Sequence, residues 1–317
     1  MDAAAQTPLG TRSVTALAAS PPYPQHPRPS ARRHTKVPPW LHRRKRMVQG
    51  FQPSRRAALI SVATALAACG GGGSGDGDAP AAVGQVINST LKSASNGNTY
   101  PIQVYLPQAY ATGTTTLPVI YATEGDAQFG GPNRSRFDTF KEVLQRKGTP
   151  AILVGIGGTA WRSNDFLMPG AAKYLDFILK ELVPTIEREY RADPKRRALS
   201  GLSHGGYFVV AALILEARAG VPPSFSHYLA TEGSVGEYTS PAGVLAFEKQ
   251  IDGKPVPTTL FLAGASGGNH PLIGIPLYNQ MASQNLPGLV LIEAEYNTSH
   301  VGADVPAFEE ALKRFLP

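Results

Sequence analysis

Gly201-Leu202-Ser203-His204-Gly205-Gly206 is the stretch of the chain best suited to covalent chemistry. Its spacing is Gly-x-Ser-x-Gly, and the reason for the glycines is steric. A nucleophile at the tip of a sharp strand-to-helix turn sits in a strained backbone conformation, and neighbours without a Cβ let the two backbones pass. Such a turn exposes the Ser203 hydroxyl and aims the following N–H groups at the same point. A serine hydroxyl is a weak nucleophile at neutral pH and needs a base within hydrogen-bond reach. Four histidines lie beyond the N-terminal segment: His204, His227, His270 and His300. His204 adjoins the nucleophile, and its side chain is expected to point away from it. His227 falls inside a predicted strand and reads as structural, and His270 follows a strand in a Gly/Ser/Asn-rich stretch that reads as a surface loop, with a place near the site as the alternative. His300, in Tyr296-Asn297-Thr298-Ser299-His300, lies between the last predicted strand and a C-terminal helix. That is where a strand–helix architecture delivers the base, in the chain order Ser…His.

The elements that must hold these residues alternate along the chain. Short apolar runs predict strands at Tyr100–Leu106, Leu117–Tyr121, Ala151–Ile156, Arg197–Ser200, Ser226–Ala230, Thr259–Ala263 and Val290–Glu295. Several are apolar on successive residues, the pattern of strands covered on both faces. Between them Leu175, Ile178, Leu182 and Ile186 line one face of a helix, with Pro184 expected to bend it. Phe308, Leu312 and Phe315 form a second stripe behind the start signals Asp304 and Pro306. The expected class is α/β, with a mostly parallel central sheet and helices on both faces. Ligands on such sheets bind at the carboxyl ends of the strands.

With Val104-Tyr105-Leu106-Pro107, Leu117-Pro118-Val119-Ile120-Tyr121 followed by Glu124-Gly125-Asp126, Arg162 to Phe166 and Gly201 to Gly206, the chain from Tyr100 onward resembles the esterase branch of the α/β-hydrolase superfamily. That branch includes siderophore-lactone esterases, S-formylglutathione hydrolase and the mycolyltransferases. The resemblance implies an α/β-hydrolase fold and an oxyanion hole made by the backbone N–H groups of Asp126 and His204. It also places Arg162 and Asp165 near the acyl or leaving-group side, with an Arg162–Asp165 salt bridge anchoring the loop as the alternative. Glu124 stands where relatives commonly carry His or Asp. The usual triad acid follows the strand Thr259–Ala263, but Gly264-Ala265-Ser266-Gly267-Gly268-Asn269 holds no carboxylate. Three readings stay open: a Ser–His dyad, Glu232 at the alternative position after the preceding strand, or another acid such as Asp252. The implied activity is that of a serine esterase acting through an acyl-enzyme on Ser203, with His300 as base, on a siderophore lactone or a small acyl ester. No metal or organic cofactor is implied. An acyltransferase using the same residues is a near variant, and a non-catalytic ligand-binding lipoprotein on a hydrolase scaffold is the competing class.

The composition, 42% hydrophobic and 17% charged, suits a globular chain. Its net charge of +7 is concentrated at one end. Residues 1–56 hold 11 Lys and Arg against the single acid Asp2, while the rest holds 19 against 22 acids. Nucleic-acid binding needs basic side chains clustered on the folded domain, so it is not expected here. Residues 1–46 read as a disordered leader, expected to stem from an over-extended start codon. Residues 47–68 read as an export signal: Ser54-Arg55-Arg56, which resembles a twin-arginine motif, then an uncharged core from Ala57 to Ala68. Leu66-Ala67-Ala68-Cys69 resembles the bacterial lipobox, with Cys69, the only cysteine, at the acylated position. Residues 69–83 read as a Gly-rich tether and 84–317 as the hydrolase domain. The expectation is an exported periplasmic lipoprotein, outer-membrane anchored, whose partners are an ester substrate and the membrane itself.

Overall fold

A computed structural model describes residues 84–129, 131, 133–234 and 254–315. The expected signal, Cys69 and tether lie outside these residues, as does Asp252. The strands are β1 (Gln85–Lys92), β2 (Thr99–Leu106), β3 (Leu117–Thr123), β4 (Ile152–Ile156), β5 (Ala192–Leu202), β6 (His227–Thr231), β7 (Thr258–Ala265) and β8 (Leu289–Tyr296). They form one sheet in the order β1-β2-β4-β3-β5-β6-β7-β8. β2 is antiparallel to both β1 and β4, and the strands from β4 to β8 run parallel.

Every residue of β3 and of β4 is buried, because helices cover both faces. On one face β3 and β4 pack through Val119, Tyr121, Ile152 and Val154 against the helix α4 (His204–Ala219) and the chain around Tyr174 and Phe177. On the other face Ile120 and Leu153 pack against Phe137 and Phe140 of α1 (Arg136–Lys147) and Phe308 and Leu312 of α6 (Asp304–Phe315). The Phe140 and Phe308 rings stack at 3.7 Å. The helix around Leu175 does not simply bend at Pro184. Helices α2 (Gly170–Phe177) and α3 (Val183–Glu189) are joined by a π turn over Ile178–Leu182. A wider turn just before a proline takes up the missing N–H without breaking the helix. The remaining helix used below is α5 (Ile275–Gln284).

The strands that end in chemistry-bearing residues are neighbours. β5, β6, β7 and β8 are adjacent and parallel, so the segments after them emerge at one edge of the sheet. Beneath that edge lies Arg136, 1% exposed. Its Nε and Nη2 clamp the Asp304 carboxylate at 2.7 and 2.9 Å. Its Nη1 donates to Thr123 O at 2.8 Å and Ser200 O at 3.4 Å, and Nη2 also reaches Ser200 Oγ at 2.9 Å. These bonds engage all the directions in which a guanidinium can donate.

Candidate active site

Ser203 sits alone between β5 and α4, with φ 59° and ψ −116°. A side chain other than glycine at such an angle costs about 1–3 kcal/mol and persists only where its surroundings fix it. Here they do. The Ser203 N–H donates to Thr231 O at 3.0 Å, and its carbonyl accepts from Tyr207 N–H and Ser234 N–H, both at 2.9 Å. A Cβ on Gly201 would collide with the Gly205 backbone, which is the crowding that the glycine pattern implies. The Ser203 hydroxyl is hydrogen-bonded to the Ser234 hydroxyl at 3.0 Å.

Glu232 follows β6 directly and also has a positive φ, 49°. Its N–H is tied to Ala263 O at 2.7 Å, which turns the side chain over the end of β7. There Oε1 accepts from Ala265 N–H at 2.6 Å and Oε2 from Asn269 N–H at 2.9 Å. Oε2 is also 2.6 Å from His300 Nδ1. The loop after β7 therefore holds no carboxylate of its own because it cradles the one from β6, and a Cβ on Gly268 would strike that carboxylate. Burial alone would raise the Glu232 pKa. The hydrogen bonds from His300, Ala265 and Asn269 outweigh it and hold the group below the usual glutamate value, as an anion. With Nδ1 on the carboxylate, Nε2 is the ring nitrogen left to accept a proton. The His300 side chain is 32% exposed over a carboxylate that is 0% exposed.

The segment Thr231–Ser234 thus links the Gly201–Gly205 elbow, which it bonds through Ser203, to the Glu232–His300 pair at the same edge of the sheet. The other histidines are placed differently. His227 opens β6, stacks on Phe315 at 4.0 Å and bonds Ser226 through Nδ1 at 2.9 Å; burial pushes its pKa down to about 4. That is the structural placement its strand implied. His270 is not on the surface: it is 2% exposed, with Nε2 2.8 Å from Glu293 Oε1. His204 opens α4.

Asp126 lies in the turn after β3, and its carboxylate is bound by the N–H groups of Gly158 (2.8 Å) and Thr159 (3.2 Å). This joins the loops after β3 and β4. Arg162 does not pair with Asp165. Its Nε bonds Glu124 Oε1 at 2.5 Å, and Glu124 is a fully buried residue with φ 55° whose Oε2 faces Gly205 of the elbow. Burial raises the Glu124 pKa, against the pull of Arg162 and Arg136. Asp165 is 5% exposed, and its carboxylate is taken by Tyr100 Oη at 2.6 Å and by the amides of Asn96 and Asn98. It is turned inward, so it anchors the β1–β2 hairpin. Among the described residues no group of three or more His, Cys, Asp or Glu side chains is placed to hold a metal ion. Ser234 and the two cradle amides carry no sequence signature.

This sheet, with a serine at a strained strand–helix turn, is that of the α/β-hydrolase fold. Residues 93–230 match the family described as "Putative esterase", the stretch from the end of β1 into β6. The ferri-bacillibactin esterase BesA of Bacillus subtilis (strain 168) is 28% identical over 178 residues, 46% of this chain and 57% of that protein. The chain thus aligns with little more than half the length of this curated relative. An IroE-like serine hydrolase from Shewanella oneidensis has a TM-score of 0.60 and 23% identity, covering 73% of this chain and 80% of the other. The BES protein from Bacillus cereus has a TM-score of 0.58 and 24% identity, covering 73% and 94%. The chain has the α/β-hydrolase fold, and its residues 93–230 match the esterase family's model.

Proposed function

We propose that the protein is a serine carboxylic ester hydrolase with Ser203 as nucleophile, His300 as general base and acid, and Glu232 as the orienting carboxylate. The observation that carries this reading is the 2.6 Å bond between a buried Glu232 and an accessible His300, on the segment that also grips the strained Ser203. As the Ser203 hydroxyl turns toward His300, Nε2 takes its proton while Oγ bonds to the ester carbonyl carbon. Hydrogen bonds between catalytic groups commonly tighten only when substrate is bound. The tetrahedral oxyanion is received by the N–H groups of Asp126 and His204, each worth about 3 kcal/mol at that point. The C–O bond to the alcohol then breaks as His300 returns the proton to the leaving oxygen. Water, deprotonated by the same imidazole, releases the acid and restores Ser203. Glu232 holds the ring and balances its charge throughout.

The substrate class we assign is a siderophore-like lactone or a small acyl ester, supported by the family match and by the esterase named above. We assign Arg162 to the substrate side because Glu124, which holds it, faces Gly205 of the elbow. The missing carboxylate that favours a non-catalytic scaffold in the sequence is supplied by Glu232. The test is p-nitrophenyl acetate and butyrate turnover: the parent should hydrolyse both, and Ser203→Ala should lose at least about 10³-fold. Equal turnover by the two would end the reading. We further propose an exported lipoprotein anchored through Cys69, supported by Leu66-Ala67-Ala68-Cys69 and the Gly-rich stretch behind it. In a bacterial host the parent should fractionate with membranes and incorporate labelled palmitate, and Cys69→Ala should do neither. Palmitate on the Cys69→Ala protein would refute the anchor.

A further inference from the structure

We propose that Ser234 is a positioning residue for the nucleophile: its hydroxyl donates to Ser203 Oγ and so leaves the serine's own proton for His300. The proposal rests on the serine-esterase reading above. Its basis is the 3.0 Å contact between the two hydroxyl oxygens, together with the backbone bonds that fix it. Ser234 does not meet Ser203 by the chance approach of a mobile side chain. Its N–H donates to the Ser203 carbonyl at 2.9 Å, and three residues earlier Thr231 O accepts the Ser203 N–H at 3.0 Å. The elbow and the segment after β6 are therefore bonded twice through their backbones, on either side of Glu232. The Ser234 side chain is delivered to the reacting oxygen by the same loop that delivers the acid.

Proton counting sets the direction of the bond. Each hydroxyl has one proton to give and two lone pairs to accept with. If Ser203 gives its proton to Ser234, none points at the imidazole, and transfer to Nε2 must wait for a rotation. If Ser234 is the donor, Ser203 is oriented with its proton free for the base. The second arrangement also improves along the reaction. As Oγ gives up its proton, negative charge builds on it and the bond from Ser234 becomes charge-assisted. Once Oγ is an ester oxygen that charge is gone. An interaction strongest between the two end states raises kcat and leaves ground-state binding alone.

The experiment compares Ser234→Ala and Ser234→Thr with the parent in p-nitrophenyl ester hydrolysis and in the rate of inactivation by a fluorophosphonate. Ser234→Ala should lose about 10- to 100-fold in kcat and in inactivation rate, the range of one hydrogen bond to a developing charge. Its KM, its thermal midpoint and the pH at which its rate falls off should stay those of the parent. Ser234→Thr keeps the hydroxyl and should return to within about threefold of the parent. Parent rates in Ser234→Ala overturn the proposal. So does a loss carried by KM or by a displaced pH limb, which would mean that Ser234 only shapes the loop. Ser234→Thr as slow as Ser234→Ala also overturns it. If the fluorophosphonate leaves the parent itself unlabelled, the serine-esterase reading fails first, and the two failures are told apart.

Discussion

Two histidine–carboxylate pairs stand at the same edge of the sheet, and they are built inside out relative to each other. In His300–Glu232 the acid is wholly buried and the imidazole 32% exposed; in His270–Glu293 the imidazole is 2% exposed and the acid 29%. The separations are alike, 2.6 and 2.8 Å. Distance therefore does not distinguish the proposed catalytic pair from a structural one. A base must reach the substrate with its ring while a fixed anion steadies it from behind, and only the first pair is stacked in that order. The second pins the π turn His270–Gly274, whose preceding loop forms the cradle for Glu232.

The largest expected contrast is between the histidines themselves. His300→Ala should lose about 10⁴-fold or more in kcat/KM while unfolding near the parent's midpoint. His270→Ala should do the reverse, losing about 2 kcal/mol of stability with less than about a tenfold change in rate. Matched kinetic and urea-unfolding measurements on the two variants decide this, and equal kinetic losses would erase the distinction. A subtler version uses the glycines. A Cβ on Gly268 would push on the Glu232 carboxylate, and one on Gly274 would push on the His270 ring. Gly268→Ala is expected to slow turnover by about 10- to 100-fold, and Gly274→Ala to cost about 1–3 kcal/mol of stability by overpacking with little effect on rate.

The smallest effect is a slope. The folded-state pKa of Glu232 lies below its ordinary value of 4.5, so below that pH the unfolded chain binds the proton more readily. The stability that Glu232 contributes is complete above 4.5 and is lost as the pH falls through the folded value. Urea-unfolding free energies for Glu232→Gln should therefore decline less steeply than the parent's on acidification below 4.5. Parallel declines would show that the carboxylate is no better stabilised folded than unfolded.

Legibility in the sequence followed how local the cause was. The elbow was readable because crowding between residues 201 and 205 writes glycine directly into the chain. His300 was readable because it follows the last strand and precedes an amphipathic helix. Glu232 was only one of three options, since its partners Ala265, Asn269 and His300 lie 33 to 68 positions away. The burial of His270 was illegible for the same reason, its partner being on β8. β1 was missed because Gln85–Lys92 is an edge strand of mostly polar residues with no clean alternation. The Arg162–Asp165 pairing failed because both residues found better partners elsewhere in the fold, Glu124 and Tyr100.

Arg136 gives the site a property that none of its visible residues has. One guanidinium under the floor bonds the end of β3 that leads into the Glu124–Asp126 turn, the end of β5 that leads into Ser203, and the first residue of α6, four positions beyond His300. The proposed nucleophile, oxyanion turn and base thus hang from a common rivet. None of the three can drift without straining the other two. Lysine, with a single point of charge, could not hold all three at once, so even this mild exchange would loosen the whole platform.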